Sequence, residues 1–130
     1  MRRIVRDDDG STPVEFVLVG ALLTALTLAV IQLGVALYVR NVVHDAAVEG
    51  AYYAALADTT LGEGVERARR IVATTVGEDV IDEVTVREST ALGGRTTEVT
   101  IVADLPLFGL LGVPRAMEVT GRAPMESFDG

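Results

Sequence analysis

Cysteine and tryptophan are absent from this chain of 130 residues, and histidine occurs once, at His44. Without cysteine there can be no disulfide bond and no thiolate metal centre. Lysine is absent as well, so arginine supplies all 11 basic side chains against 19 acidic ones, and the net charge is −8. Because neutralising phosphate groups requires a basic surface, we do not expect the protein to bind nucleic acid.

Side chains suited to catalysis or metal binding are also scarce. His44 and Asp45 are adjacent and would point about 100° apart on a helix, which does not make a metal-binding face. Gly93 and Gly94 indicate a turn, because no strand, glycine loop and helix occur there in the order that a phosphate-binding loop requires. We therefore predict no enzyme activity, no cofactor, no metal site and no small-molecule substrate.

The chain does contain one membrane-length apolar run, at residues 16–39, in which Gln32 is the only strongly polar side chain. As a helix it would extend roughly 36 Å, more than the ~30 Å hydrocarbon core of a bilayer. A conventional cleaved signal peptide would have a shorter apolar core and a small-residue cleavage site after it. A buried helix of a soluble protein would need a larger domain around it. We predict a transmembrane helix over residues 11–40.

Arginines are unequally distributed about this run. Three precede it and one follows it closely: Arg2, Arg3, Arg6 and Arg40. The positive-inside rule then makes residues 1–10 a cytoplasmic leader and places residues 41–130 outside the cytoplasmic membrane. The prediction is a single-pass protein.

Small residues recur within the run at spacings of 4, 4, 3 and 4, interrupted by one amide. They are Ala21, Ala25, Ala29, Gln32 and Ala36. Small side chains at this spacing allow two helices to approach closely in lipid, and the amide could bond to a partner helix. Alanine is common in membrane helices for other reasons, so this helix-packing face is a hypothesis.

Helical periodicity continues to Asp58 without a proline, which predicts one helix over residues 14–58. Its extracytoplasmic continuation, residues 41–58, carries a stripe of small and apolar side chains that needs a cover. The stripe consists of Val42, Val43, Ala46, Ala47, Gly50, Ala51 and Ala54. A second, amphipathic helix is predicted over residues 61–76, with Arg67 turned away from its apolar side and paired with Glu63.

After the second predicted helix, apolar and polar residues alternate with a period of two. Residues 84–87 and 97–103 alternate about a glycine turn and predict a hairpin, and residues 117–121 are a candidate third strand. The apolar segment Leu107–Leu111 is interpreted as an irregular loop that packs on the long helix or meets a partner. Residues 123–130 are interpreted as a tail. The fold class is therefore α+β and pilin-like, with residues 59–130 forming a small extracytoplasmic domain.

Glu15 is the least expected side chain, since it lies at the start of the apolar run. A carboxylate there could reach the membrane interface, or interact favourably with the helix N-terminus. A third possibility depends on cleavage after Gly10, which would create an α-amine on Ser11. Glu15 could then pair with that amine on a neighbouring subunit and set the axial register of packed helices.

These segments resemble the TadE-like proteins, minor pilins or pseudopilins of the tight-adherence (Tad) pilus within the type IV pilus group. The resemblance lies in residues 10–16, GSTPVEF, in the apolar helix, and in residues 38–55, YVRNVVHDAAVEGAYYAA. It implies that Gly10 and Ser11 flank the site cut by a prepilin peptidase and that Glu15, followed by Phe16, acts in assembly. Four small residues correspond to the family segment after the membrane: Ala46, Ala47, Gly50 and Ala51.

The sequence thus predicts a structural, non-enzymatic component of a Tad-type pilus or related secretion apparatus, assembled through residues 14–57. Its partners would be the membrane, other pilin-like subunits, Tad assembly proteins and the peptidase. The alternative is an uncleaved, membrane-anchored extracytoplasmic binding protein unrelated to pili. An anchored enzyme would be a third class, but it lacks candidate catalytic side chains.

Overall fold

The structure is a computed structural model that describes residues 7–90, 93–105 and 113–125, without the side chains of residues 7–10 and 113–114. Within these residues, two α-helices and three strands follow in order, with one 3₁₀ turn at Glu78–Val80 before the first strand. The elements are α1 (Asp7–Ala55), α2 (Leu61–Thr75), β1 (Ile81–Ser89), β2 (Thr96–Leu105) and β3 (Val113–Pro124). The predicted α+β class is confirmed. The chain divides into two units, Met1–Gly34 and Val35–Gly130.

Helix α1 is longer at its start than the sequence predicted. It begins at Asp7, so Pro13 lies inside the helix and not in its first turn. Proline has no N–H, and the carbonyl four residues earlier, that of Asp9, therefore lacks its usual helical donor. At the other end α1 stops at Ala55, where the Thr59 hydroxyl donates to the Leu56 carbonyl at 3.1 Å.

Thr60 and Glu63 start α2 with a reciprocal capping box. The Glu63 N–H donates to the Thr60 hydroxyl at 3.2 Å, and the Thr60 N–H donates to the Glu63 carboxylate at 2.6 Å. Such a cap typically contributes about 1 kcal/mol, because it satisfies donors that the first helical turn leaves free. The Glu63 side chain is thereby used at the cap, and the prediction that it pairs with Arg67 is wrong.

The sheet is antiparallel throughout, with strand order β1-β2-β3. Val84 and Val86 pair with Ile101 and Val99, which confirms the predicted hairpin. Strand β3 extends to Pro124, beyond the predicted strand, and Ala123 is buried opposite Thr97. The assignment of residues 123 and 124 to a tail is therefore corrected. The predicted Leu107–Leu111 loop lies outside the described residues.

The hydrophobic core lies within the unit that begins at Val35. Side chains of α1, α2 and the inner side of the sheet meet there, and most are small. Its fully buried members include Val43, Ala46, Ala47, Ala51, Ala68, Val72, Val99, Ile101, Ala103 and Ala123. The Thr97 hydroxyl is buried among the described residues without a hydrogen-bond partner. Such an arrangement costs free energy, since a buried donor has lost its water.

On the opposite side of the sheet, Glu98 is buried between two exposed arginines on the neighbouring strands. Arg122 donates from Nε to one carboxylate oxygen at 2.7 Å, and Arg87 donates from Nε to the other at 2.8 Å. The hydrogen bond from Arg122, followed by that from Arg87, lowers the pKa of Glu98 below its usual value of 4.5. These bonds favour the ionised carboxylate and join all three strands.

A lowered folded-state pKa makes the contribution of Glu98 to stability depend on pH. That contribution is complete above the usual value of 4.5 and is lost as the pH falls through the folded-state pKa. We expect the stability advantage of the wild type over Glu98→Gln to be largest above that pH and to shrink with acidification. Chemical denaturation of the detergent-solubilised chain across a pH series measures it.

Glu118→Gln is the matched control, since Glu118 is an exposed carboxylate on the same side of the sheet. It should leave the pH dependence of unfolding close to that of the wild type. A constant difference between wild type and Glu98→Gln at every pH would contradict the role of the two arginine bonds.

Candidate functional site

The N-terminal unit presents an apolar helix whose side chains are exposed. Residues 11–31 of α1 are all exposed, and Phe16, at 79%, is the most exposed of its large apolar side chains. In length and composition this helix is sufficient to cross a membrane. Exposed apolar surface on this scale marks a region that lipid or another protein covers. The helix is consistent with a single-pass membrane protein.

The sequence-predicted processing and assembly residues all lie in the first turns of α1. Gly10 and Ser11 are helical and lie close to the start of the helix at Asp7. Glu15 and Phe16 follow one turn later with exposed side chains. The carboxylate of Glu15 is therefore on the helix surface, where a group from outside the chain can reach it.

Two threonines of the apolar segment make hydrogen bonds that the sequence pattern does not predict. Thr24 donates to the Gly20 carbonyl and Thr27 to the Leu23 carbonyl, each at 2.8 Å. These bonds to the preceding turn satisfy the two hydroxyl donors without water. That matters in lipid, where an unsatisfied polar group is costly.

The proposed helix-packing face is placed but not covered. Ala21, Ala25 and Ala29 are exposed, while Gln32 and Ala36 are half-buried. Within the described part of the unit Met1–Gly34, Ala21, Ala25 and Ala29 stay exposed. Their role in binding another helix stays a prediction.

The segment after the apolar run has a different environment. Ala46, Ala47 and Ala51 have no exposed surface, and Gly50 is also buried. The predicted need for a cover over this stripe is confirmed, and the chain itself supplies that cover. These four residues are therefore used within the chain, and assembly through residues 14–57 stays a prediction.

Glycines let α2 approach α1 very closely. A Cβ atom added at Gly50 would lie 2.8 Å from both the Ala68 Cβ and the Gly64 carbonyl oxygen. One added at Gly64 would lie 2.7 Å from the Gly50 carbonyl oxygen and nearer still to the Ala54 Cβ. Real Cβ atoms do not make such contacts, so the two backbones can cross here only because both positions are glycine.

The sheet reaches α1 by the same means. A Cβ atom at Gly121, on β3, would collide with the backbone of α1 at Ala47 and Val48. Gly121 pairs with Val99 on the central strand, so this contact sets the position of the sheet against the helix. The sequence pattern predicts Gly121 at the end of a strand and gives no sign of this contact.

Arg67 makes a polar bridge beside the glycine crossing. Its guanidinium donates to the Glu49 carboxylate on α1 at 3.1 Å and lies 5.8 Å from the centre of the Tyr53 ring. The prediction that Arg67 turns away from the core is therefore wrong. Partial exposure limits the energy of the ion pair, so its main effect is on the alignment of the two helices.

Metal chemistry is not indicated by the described part of the chain. Among those residues, no three His, Asp or Glu side chains are placed to hold a metal ion. His44 and Asp45 approach to 3.8 Å, but both side chains are largely exposed on α1.

Comparison with known families identifies the N-terminal part of the chain. Residues 10–51 match the family described as TadE-like protein, which confirms the resemblance predicted from the sequence. The match covers the exposed apolar helix and the buried small-residue segment and ends before α2. It fits a protein associated with the Tad pilus, and the family is a structural one. No curated protein and no solved structure matches the chain.

Gly64 and Gly62 provide a matched test of the helix crossing, since both lie in α2 and only Gly64 is buried. We expect Gly64→Ala to lower the free energy of unfolding by about 1–3 kcal/mol, because the added methyl group forces the helices apart. Gly62→Ala should be neutral or stabilising by up to about 1 kcal/mol, because alanine favours the helix. At Gly62 the nearest atom to an added Cβ is 3.9 Å away.

The free energy of unfolding of both variants is measured by denaturant titration of the full chain in detergent. The circular dichroism signal of the tyrosines monitors unfolding. Equal stability of the two variants would contradict the proposed close contact at Gly64.

Proposed function

We propose that this chain is a single-pass, minor pilin-like component of a Tad-type pilus or related secretion apparatus. The observation that carries the proposal is that the TadE-like match coincides with an apolar helix whose side chains the chain leaves exposed. Residues 11–40 would cross the cytoplasmic membrane. The remainder would form the extracytoplasmic domain, in which the end of α1, α2 and the sheet share one core.

The proposed orientation rests on the arginines. Arg2, Arg3 and Arg6 precede the apolar helix, whereas Arg40 alone follows it closely. Basic residues are retained on the cytoplasmic side of a membrane, which places the N-terminus inside. Residues 1–10 would then be accessible to a peptidase that acts at the cytoplasmic face.

Pro13 supports cleavage between Gly10 and Ser11. In the uncleaved chain it lies inside α1 and removes a hydrogen bond from the turn that contains Gly10. After cleavage Pro13 would lie in the first turn of a helix beginning at Ser11. The N–H groups of a first turn have no helical partner, so the proline would no longer cost a bond. The mature helix is thus the better-suited conformation for this residue.

Glu15 would act in register selection between subunits. Cleavage would make it the fifth residue of the mature chain, near the α-amine of Ser11. In lipid, an unpaired carboxylate and an unpaired ammonium are both costly, so two neighbouring helices gain most when each charge meets its opposite. The exposed position of Glu15 on α1 is compatible with such a contact.

The assembly surface would be the exposed part of α1, because the buried stripe beyond Val39 is used within the chain. The side of α1 away from that stripe carries Tyr38 and Tyr52, and Tyr52 is 57% exposed. We propose that other pilin-like subunits and Tad assembly proteins contact the apolar helix. Tyr38, near the end of the membrane segment, and Tyr52, beyond it, would extend this contact.

Cleavage is tested by the intact mass of the membrane-extracted protein. Co-expression with the prepilin peptidase should yield a chain that begins at Ser11, and Gly10→Ala should yield the longer chain. A chain that begins at Met1 under every condition would instead favour the alternative of an uncleaved membrane-anchored binding protein.

Glu15→Ala tests the assembly role separately. The variant should insert into the membrane normally, and its recovery in sheared pili should fall by roughly tenfold or more, since losing a buried charge pair costs more than about 1.4 kcal/mol. Glu66→Ala, which removes an exposed carboxylate from α2, is the control and should assemble as the wild type does. Wild-type incorporation of Glu15→Ala would remove the assembly role of this residue.

A further inference from the structure

The side of the sheet that faces away from the core carries three rows of paired side chains, which we call the outer face. The first row is Arg87, Glu98 and Arg122, the second is Thr85, Thr100 and Thr120, and the third is Glu83, Val102 and Glu118. On the two edge strands all of these side chains are exposed except Thr120, which is half-buried. The outer face is therefore accessible at both of its edges.

Charge is distributed unevenly along this face. The first row contains two arginines around one buried carboxylate and carries a net charge of +1. The threonine row is uncharged, and Thr100 and Thr120 are hydrogen-bonded to each other at 3.0 Å. The third row carries two carboxylates. Glu83 lies 3.5 Å from Arg115, while Glu118 has no ion-pair partner among the described residues. The face is basic at one end and acidic at the other.

We infer that the outer face binds the outer face of a second copy of this chain about a two-fold axis that runs along the threonine row. Rotation about that axis places β1 over β1 of the second copy and β3 over β3 of the second copy. It also reverses the order of the rows, so the first row of one copy lies over the third row of the other. Arg87 then faces Glu83 of the second copy, and Arg122 faces Glu118. Both ends form complementary contacts at once, as an isologous interface requires.

Other arrangements of the same two surfaces are less favourable. A two-fold axis parallel to the strands would place arginine row over arginine row and glutamate row over glutamate row. Like charges in direct contact disfavour a complex by several kcal/mol. A free anion would also be disfavoured, because the chain has a net charge of −8.

The contact would be weak unless the copies are held together. Three strands about 4.8 Å apart and rows about 7 Å apart along the strands give an area far below the roughly 800 Å² per partner of a stable complex. Confinement of both chains to one membrane would raise their effective concentration and make such a contact significant. The inference needs the membrane anchor but not the pilus role, so a failed pilus assignment would leave it standing.

Because the chain has no cysteine, a single introduced thiol reports on one position. We expect Thr85→Cys, and separately Thr120→Cys, to form cross-linked homodimers with a short bifunctional thiol reagent in membranes. Each variant should cross-link to its own kind, and a mixture of the two variants should give little product that joins one variant to the other. Glu66→Cys, on an exposed position of α2, is the control and should remain monomeric.

The charges are tested in the Thr85→Cys background. Adding Glu118→Arg should abolish the homodimer, as should high salt, which screens exposed charges. Adding Glu66→Arg makes the same change of charge away from the face and should leave cross-linking unchanged. Unfolding measurements on each variant show that the domain remains folded. Equal cross-linking of Thr85→Cys and Glu66→Cys, or insensitivity to Glu118→Arg, would overturn the inference, as would cross-links only to other proteins.

Discussion

Direct contact between backbones is the constraint on which the unit Val35–Gly130 depends. Gly50 and Gly64 allow α2 to cross α1, and Gly121 allows β3 to rest on the backbone of the same helix. The core is otherwise made mainly of alanine and valine, so close approach replaces large side chains as the source of packing. Dispersion contacts fall off steeply with distance, and a gap of even one methyl group at these positions would weaken many of them together.

Helix α1 has an exposed apolar first part and a last part that packs within the chain. Its first part leaves apolar side chains exposed, and two threonines satisfy their hydroxyls on the preceding turn. Its last part buries a stripe of small residues under α2 and the sheet. The TadE-like match spans both parts, so the matched segment combines an exposed apolar surface with a surface used inside the chain.

Several features followed from local patterns in the sequence. The long apolar helix, the amphipathic α2 and the hairpin all have periodicities that local sterics and burial impose, and each is present. The features that were missed depend on distant residues. Arg67 pairs with Glu49 and not with Glu63, since the capping box uses Glu63 and the helix crossing brings Glu49 near. Ala123 belongs to β3 and pairs with Thr97 on β2, a residue distant in sequence. Placement of Glu15 at the start of the apolar run was evident, but its proposed partner lies on another chain.

The sequence by itself determined the membrane-length helix, the absence of thiol chemistry, the α+β class and the TadE-like resemblance, because each depends on composition or on short-range spacing. Only the tertiary structure decided which small residues are buried within the chain, among them Ala46, Ala47, Gly50 and Ala51. It also brought Arg87, Glu98 and Arg122 into one row across three strands. Strand register sets those neighbours, and register is the outcome of packing over the whole domain, which no local pattern specifies.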